Sequence, residues 1–221
     1  MKTTSTTCRI ILIDDHCIVR MGIRSLLETQ ADLKVIAEAR GRREALEALE
    51  ADCPDLAIVD LILGADDGIS FIKECRVRFK KMKILVMTVH DENVYAERAI
   101  RAGADGFIAK ENCTDYLLGA IRTVMKGEVY LSRSSSARIL GRILKDSRPV
   151  QGSPVETLSD RELYVFQMIG AGMSTKEIAA NLSLSGKTIE TYREKIKSKL
   201  SLANARMLRE RAAQWVKDGS Q

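Results

Sequence analysis

Short apolar runs rich in Ile, Leu and Val recur along the first half of the chain: RIILI (9–13), LKVIA (33–37), LAIVD (56–60), KILVMT (83–88) and GFIA (106–109). Between them the apolar positions shift to helical spacing, as in Val19, Ile23, Leu26 and Leu27, or Tyr116, Leu117, Ala120, Ile121 and Val124. Unbroken apolar runs mark strands buried on both faces. Five of them alternating with five helices predict an α/β fold with a five-stranded, doubly wound parallel sheet. Such sheets gather ligands at the carboxyl ends of their strands. Asp14 and Asp15 follow the first run, Asp60 ends the third, Thr88 ends the fourth and Lys110 follows the fifth, so polar groups converge on one edge.

After Lys126-Gly127 the pattern breaks. Residues 128–156 hold Ser132, Ser134, Ser135, Ser136, Ser147, Pro149, Gly152, Ser153 and Pro154, the composition of a linker. Within it, ARILGRILKD places Ile139, Leu140, Ile143 and Leu144 on one face and predicts a short amphipathic helix. Beyond Thr157 the spacing is all-helical. Ser159 with Glu162, and Ser174 with Glu177, have the spacing of capping boxes, in which hydroxyl and carboxylate satisfy free backbone NH groups reciprocally. The division read from sequence is therefore 1–127, a linker at 128–156, and an all-α domain at 157–221.

The charge distribution sharpens this division. Of the net +5, residues 1–125 carry 18 basic and 20 acidic side chains, 126–150 carry 6 and 2, and 151–221 carry 11 and 8. The second half is thus biased toward a polyanion. The five cysteines show no CxxC pair and no neighbouring His cluster, which argues for reduced thiols rather than zinc. With no charged-then-apolar leader and no apolar run near the roughly 18 residues of a membrane span, the expectation is a cytoplasmic protein without a membrane partner.

Two adjacent carboxylates at the mouth of a buried strand repel unless a cation is near. Mg2+ takes oxygen ligands and uses one or two carboxylates with waters and a phosphate, so Asp14, Asp15 and Asp60 supply a suitable shell. An Asp beside Mg2+ can attack a phosphoryl group. Asp60 is the candidate nucleophile, Lys110 the candidate partner of the phosphate, and Thr88 a hydroxyl donor to it. Taken singly, the acidic pair would be a loop or a helix cap, Lys110 a solvated lysine and Thr88 a strand end. The ordered set carries the reading.

Residues 9–127 resemble the receiver domain of two-component response regulators. The resemblance rests on IDDH, on IVDLILGADDG with Asp60 eight residues before Gly68, on LVMTVHD, and on AIRAGADGFIAK ending in Lys110. It implies a flavodoxin-like fold, Asp60 as phosphoacceptor, and Asp14 and Asp15 as magnesium carboxylates with the Ile62 carbonyl as a further ligand. It also implies Thr88 and Phe107 as a switch pair, in which hydroxyl movement lets the ring turn inward; plain core packing is the alternative for Phe107. Gly64 and Glu111 stand where many members have proline, so the loop after Asp60 is expected to be more mobile and no cis bond is carried over. Family experience makes Ile62 and His90 governors of phosphoryl lifetime. Bulky Ile62 should hinder water, and His90 reads as a loop residue rather than a base.

Residues 157–208 resemble the LuxR-type helix-turn-helix of the NarL/FixJ regulators. Ile178, Ala179 and Leu182 form an inner face, LSLS the turn, and Ser185 a cap; Ile189, Tyr192, Ile196 and Leu200 then point inward. The opposite face offers Lys187, Glu190, Thr191, Glu194, Lys195 and Ser198 to the major groove of double-stranded DNA. Lys187, Arg193, Lys195 and Lys197 are candidates for phosphate contacts, and Glu190 or Glu194 for a cytosine amino group. Gly186-Lys187-Thr188 is rejected as a phosphate loop because Asn181 stands where the first glycine is required. Leu208, Ala212, Trp215 and Val216 form a stripe that either covers the domain core or pairs with a second copy. The sequence thus reads as a transcription regulator, not an enzyme, that takes phosphate from a sensor histidine kinase with Mg2+ and dimerises on DNA. An aspartate-nucleophile phosphatase would need a carboxylate where Ile62 stands, and a receiver that has abandoned phosphate would not need the complete acidic set.

Overall fold

A computed structural model describes residues 7–64, 66–89, 92–145, 154–182 and 184–219. The chain forms two units, Met1–Arg148 and Pro149–Gln221.

In the first unit, β1 (Cys8–Ile13), β2 (Leu33–Ala39), β3 (Leu56–Val59), β6 (Lys83–Thr88) and β7 (Gly106–Ala109) form one sheet in the order β2-β1-β3-β6-β7. All four pairings are parallel. Strand alternation sends Ile10, Leu12, Ile58, Leu85 and Met87 to one face, where α1 (Cys17–Glu28) and α5 (Cys113–Met125) bury Ile23, Leu27, Leu117, Ile121 and Val124 against them. Helices α2 (Arg42–Ala51), α3 (Gly68–Arg78) and α4 (Glu92–Ala102) contribute Leu49, Phe71, Ile72 and Tyr95 to the other. Burial on both faces is why the strands read as continuous apolar runs.

One feature was not anticipated, and a second extends an expectation. Between β3 and α3 the chain makes a small antiparallel hairpin, β4 (Ile62–Leu63) with β5 (Asp66–Asp67), turning through Gly64 at φ +61°. Gly68 then crosses so close to Leu61 that a Cβ would lie 2.5 Å from its backbone. Second, the amphipathic helix expected inside the linker is α6 (Arg133–Lys145), 13 residues long and packed on α4. The Ser132 amide donates to Glu92 at 3.0 Å, and Arg138 Nη1 to Asn93 at 2.5 Å. Just before α6, Tyr130 exchanges backbone hydrogen bonds with Phe107 and Asp105 beside β7. Leu140, placed on the apolar face from sequence, is 58% exposed.

The second unit contains α7 (Asp160–Gly170), α8 (Thr175–Asn181), α9 (Gly186–Lys199) and α10 (Ala205–Gly219). Both capping boxes form, and Ser185 caps α9 by accepting from the Thr188 amide. Phe166, Ile178, Ile189, Ile196, Leu208 and Ala212 are fully buried. The α10 stripe belongs to this core. Trp215 lies 6.0 Å from Phe166, ring to ring, and Gly170 admits the Ala212 backbone so closely that a Cβ there would stand 2.5 Å from its oxygen. No helix among the described residues is long and apolar enough to cross a membrane.

Candidate phosphorylation site and nucleic-acid interface

The carboxyl ends of β1, β3, β6 and β7 bring Asp14, Asp15, Asp60, Thr88 and Lys110 to one rim because the parallel sheet aligns those ends. The Asp60 amide donates to the Ile13 carbonyl at 2.9 Å and the Asp14 amide to the Ala39 carbonyl at 3.1 Å, so both acids leave the sheet while still in register. Asp14 and Asp60 are each 2% exposed. Between them stands Lys110, its Nζ 2.6 Å from Asp14 Oδ2 and 2.6 Å from Asp60 Oδ2. Burial opposes the ammonium charge, but Asp60 and Asp14 outweigh it, and the Lys110 pKa is raised.

The remaining oxygens are held less completely. Asp60 Oδ1 accepts from the Ile62 amide at 3.3 Å, Asp15 Oδ2 from the Gly64 amide at 3.3 Å, and Asp14 Oδ1 from the His16 amide at 2.8 Å. His16 Nδ1 lies 2.6 Å from Asp15 Oδ1. Asp14 Oδ2 and Asp15 Oδ1 are buried and have close nitrogen neighbours, yet neither accepts a well-directed hydrogen bond. Ligand atoms of Asp14, Asp15, His16 and Asp60 all fall within 4.8 Å of one another. Three hard carboxylates, two of them with an oxygen that lacks a directed donor, fit a divalent cation of the magnesium type. His16 was missed from sequence, although it completes the IDDH string.

Thr88 ends β6 fully buried, in register with Ala109. Phe107, two residues earlier on β7, is fully buried opposite Val86, and its amide donates to the Tyr130 carbonyl at 2.9 Å. Ile62 is half-buried in the hairpin. His90 lies outside the described residues.

In the helical unit, Lys187, Glu190, Thr191, Glu194, Lys195 and Ser198 are exposed on α9, while Ile189 and Ile196 face inward. The basic residues divide into two kinds. Lys187 and Lys195 make no ion pair among the described residues. Arg193 and Lys197 have largely covered side chains and contact Glu190 at 3.6 Å and Glu194 at 2.8 Å. Thr175, at the start of α8, joins this array. Its hydroxyl donates to Glu190 at 2.8 Å and accepts from Arg193 at 3.2 Å.

Comparison with known proteins accords with this geometry. Residues 10–122 match the response regulator receiver domain, and 156–211 match the bacterial regulatory proteins of the luxR family. The chain is 34% identical to the oxygen regulatory protein NreC of Staphylococcus haemolyticus over 88% of this chain and 91% of that protein. A structure of RcsB from Salmonella enterica serovar Typhimurium, bound to a promoter in the presence of the phosphomimetic BeF3-, is 26% identical with TM-score 0.57, covering 92% of this chain and 97% of that one. A structure of two RcsB dimers bound to two parallel DNAs is 25% identical with TM-score 0.57, covering 97% and 100%.

Proposed function

Because the chain belongs to the two-component response regulators and is a phosphorylation-dependent transcription regulator with a receiver and a LuxR-family DNA-binding domain, we propose the following assignment of its residues. Asp60 takes a phosphoryl group from a partner histidine kinase, with Mg2+ held by Asp14, Asp15, Asp60 and the Ile62 carbonyl. The modified protein dimerises and binds double-stranded DNA in the cytoplasm through the exposed face of α9. The observation that carries this reading is the Lys110 ammonium 2.6 Å from both Asp14 and Asp60, a preformed cationic seat beside the proposed nucleophile.

The chemistry follows from these groups. An Asp60 oxygen attacks phosphorus, the phosphorus–nitrogen bond of the kinase phosphohistidine breaks, and the imidazole leaves with the electron pair. Lys110 stays charged throughout and supplies a point charge for the new phosphoryl oxygens. When bound, Mg2+ supplies further positive charge for those oxygens. The Thr88 hydroxyl turns toward the phosphoryl group, and Phe107, on the strand paired with β6, follows it as the switch partner. Ile62 limits access of water, so Ile62→Asn should speed loss of the phosphoryl group. On α9, Lys187 and Lys195 neutralise backbone phosphates, Arg193 and Lys197 join them once released from their glutamates, and Thr191, Glu190 and Glu194 face the base edges.

The test is incubation of the full chain with acetyl phosphate and Mg2+, read by intact mass. One phosphate, absent from Asp60→Asn, is expected, together with tighter binding of the modified wild type to a duplex. No adduct on the wild type, or an adduct that persists in Asp60→Asn, would overturn the assignment. Rapid continuous phosphate release would point instead to a phosphatase.

A further inference from the structure

Helix α1 directs Arg20, Ile23 and Leu27 inward. Two of these are ordinary core residues. The third carries a guanidinium that is 6% exposed overall. Burying such a charge costs several kcal/mol, and a buried ion pair seldom returns more stability than an apolar side chain of the same volume. Arg20 therefore calls for an explanation other than stability, and its partners supply one.

Arg20 Nη1 donates to the backbone carbonyl of Asp14 at 2.6 Å, a buried contact. Its Nε donates to Glu38 at 3.0 Å, and Glu38 accepts also from Arg24 Nε at 2.7 Å. Burial works against the Glu38 charge, but the hydrogen bonds from Arg24 and Arg20 prevail and hold its carboxyl below the usual range. Glu38 is thus a fixed anion near the end of β2, next to Ala39, whose carbonyl receives the Asp14 amide. Asp14 is consequently held from both sides of its backbone, the amide by Ala39 and the carbonyl by Arg20. Asp15 begins at that carbonyl, so its direction out of the sheet is set by the same peptide plane.

We propose that Arg20, pinned by Glu38, is a positioning residue for the acidic rim: by holding the Asp14 carbonyl it fixes the angle at which the Asp14 and Asp15 carboxylates meet the cation. The inference rests on the magnesium site assigned above. Arg20 does not touch the cation or the phosphoryl group; it acts through the peptide that carries both carboxylates. Outer partners of metal ligands typically affect metal affinity by about 10–100-fold.

The experiment is Mg2+ titration by calorimetry on the unphosphorylated full chain, alongside thermal unfolding and the rate of modification by acetyl phosphate across Mg2+ concentrations. Arg20→Met removes both donors and keeps the apolar stem. It should weaken Mg2+ affinity by about tenfold and shift the rate curve to higher Mg2+, with a smaller loss at saturation. Arg20→Lys, which can still donate to the carbonyl, should recover part of the affinity. Glu38→Gln leaves the Arg20 charge in place but loosens its pin; it should move affinity in the same direction by a smaller factor, and it decides the matter alone if Arg20→Met does not fold. Wild-type affinity in folded Arg20→Met, or in Glu38→Gln where only that variant folds, would overturn the inference. A wild type that binds no Mg2+ would sink the site assignment itself, a result separable from the first.

Discussion

The rim of the sheet and the exposed face of α9 both concentrate charge, but under opposite conditions. At the rim, Asp14 and Asp60 are 2% exposed and share one ammonium at 2.6 Å. On α9, Glu190 and Glu194 have side chains 55% and 68% exposed, and their cationic partners lie on the same helix. Buried charges interact through a medium that screens little, so each depends on its neighbours and none can be removed without exposing the rest. Exposed charges are screened within a Debye length and contribute nearly independently. The first arrangement suits a switch with two states, and the second a surface whose affinity is the sum of many small terms. Substitutions at the rim should therefore be close to all-or-none, while those on α9 should be graded.

The largest effect belongs to Asp60→Asn. Phosphate incorporation should fall to nothing, and acetyl phosphate should no longer change affinity for a duplex, while the unmodified protein keeps its basal affinity. A graded residual adduct would break the contrast, because it would mean that another rim carboxylate substitutes for Asp60.

Lys110→Met comes next, and it separates stability from chemistry. Without the ammonium two buried carboxylates face each other uncompensated, and removing one partner of a buried ion pair costs about 3–5 kcal/mol. Thermal unfolding without Mg2+ should show that loss, and added Mg2+ should restore more stability to the variant than to the wild type. The pH dependence has a definite sign. The Lys110 pKa is raised above its ordinary 10.5, so its stabilisation is complete below that value and disappears as pH climbs through the raised one. Alkaline unfolding of the wild type should therefore steepen above about pH 10.5, and the variant should lack that component.

How far the sequence reaches follows the same division. KILVMT and GFIA coincide with β6 and β7, and both capping boxes close, because these are local patterns of period and cap chemistry. The rim acids were legible because a parallel sheet must align its carboxyl ends. The β4–β5 hairpin was not, since two-residue strands show no alternation and the turn depends on Gly64 at positive φ. Gly68 was noted for its spacing; its physical reason, the close pass over Leu61, appears only in three dimensions. Arg20 was invisible for a related reason. A charged residue on a helix reads as solvated, and its partner Glu38 lies 18 positions away on another element. Leu140 erred in the opposite direction, because amphipathic spacing says which residues share a face but not how much of that face α4 covers.

On α9 the expected effects are smaller and should accumulate. Lys187→Ala and Lys195→Ala remove cations that have no ion pair among the described residues, so the domain should keep its stability to within about 0.5 kcal/mol. Each should weaken duplex binding and lower the slope of log affinity against log salt by about 0.9 for one lost phosphate contact. Filter binding or anisotropy across a salt series would read both. The double variant should give the sum of the singles, since charges on an exposed face couple weakly. A slope unchanged in both would remove these lysines from the interface.

The smallest effect, and the most discriminating, is that of Glu194→Gln. Glu194 holds Lys197 at 2.8 Å with its own side chain 68% exposed, so the pair contributes only about 0.2–0.5 kcal/mol to the helix. Near a polyanion the glutamate repels phosphate and competes for the lysine. Its neutralisation should strengthen binding to arbitrary duplex by a few-fold, and Lys197 should then add to the salt slope. Against a selected site the outcome depends on whether the carboxylate also accepts from a cytosine amino group, a contact worth about 1–3 kcal/mol of discrimination. Stronger binding to both duplexes makes Glu194 a screened surface charge of the kind that defines this face. Stronger binding to arbitrary duplex with weaker binding to the selected one makes it a reader, and would place on α9 a single position as intolerant as those of the rim.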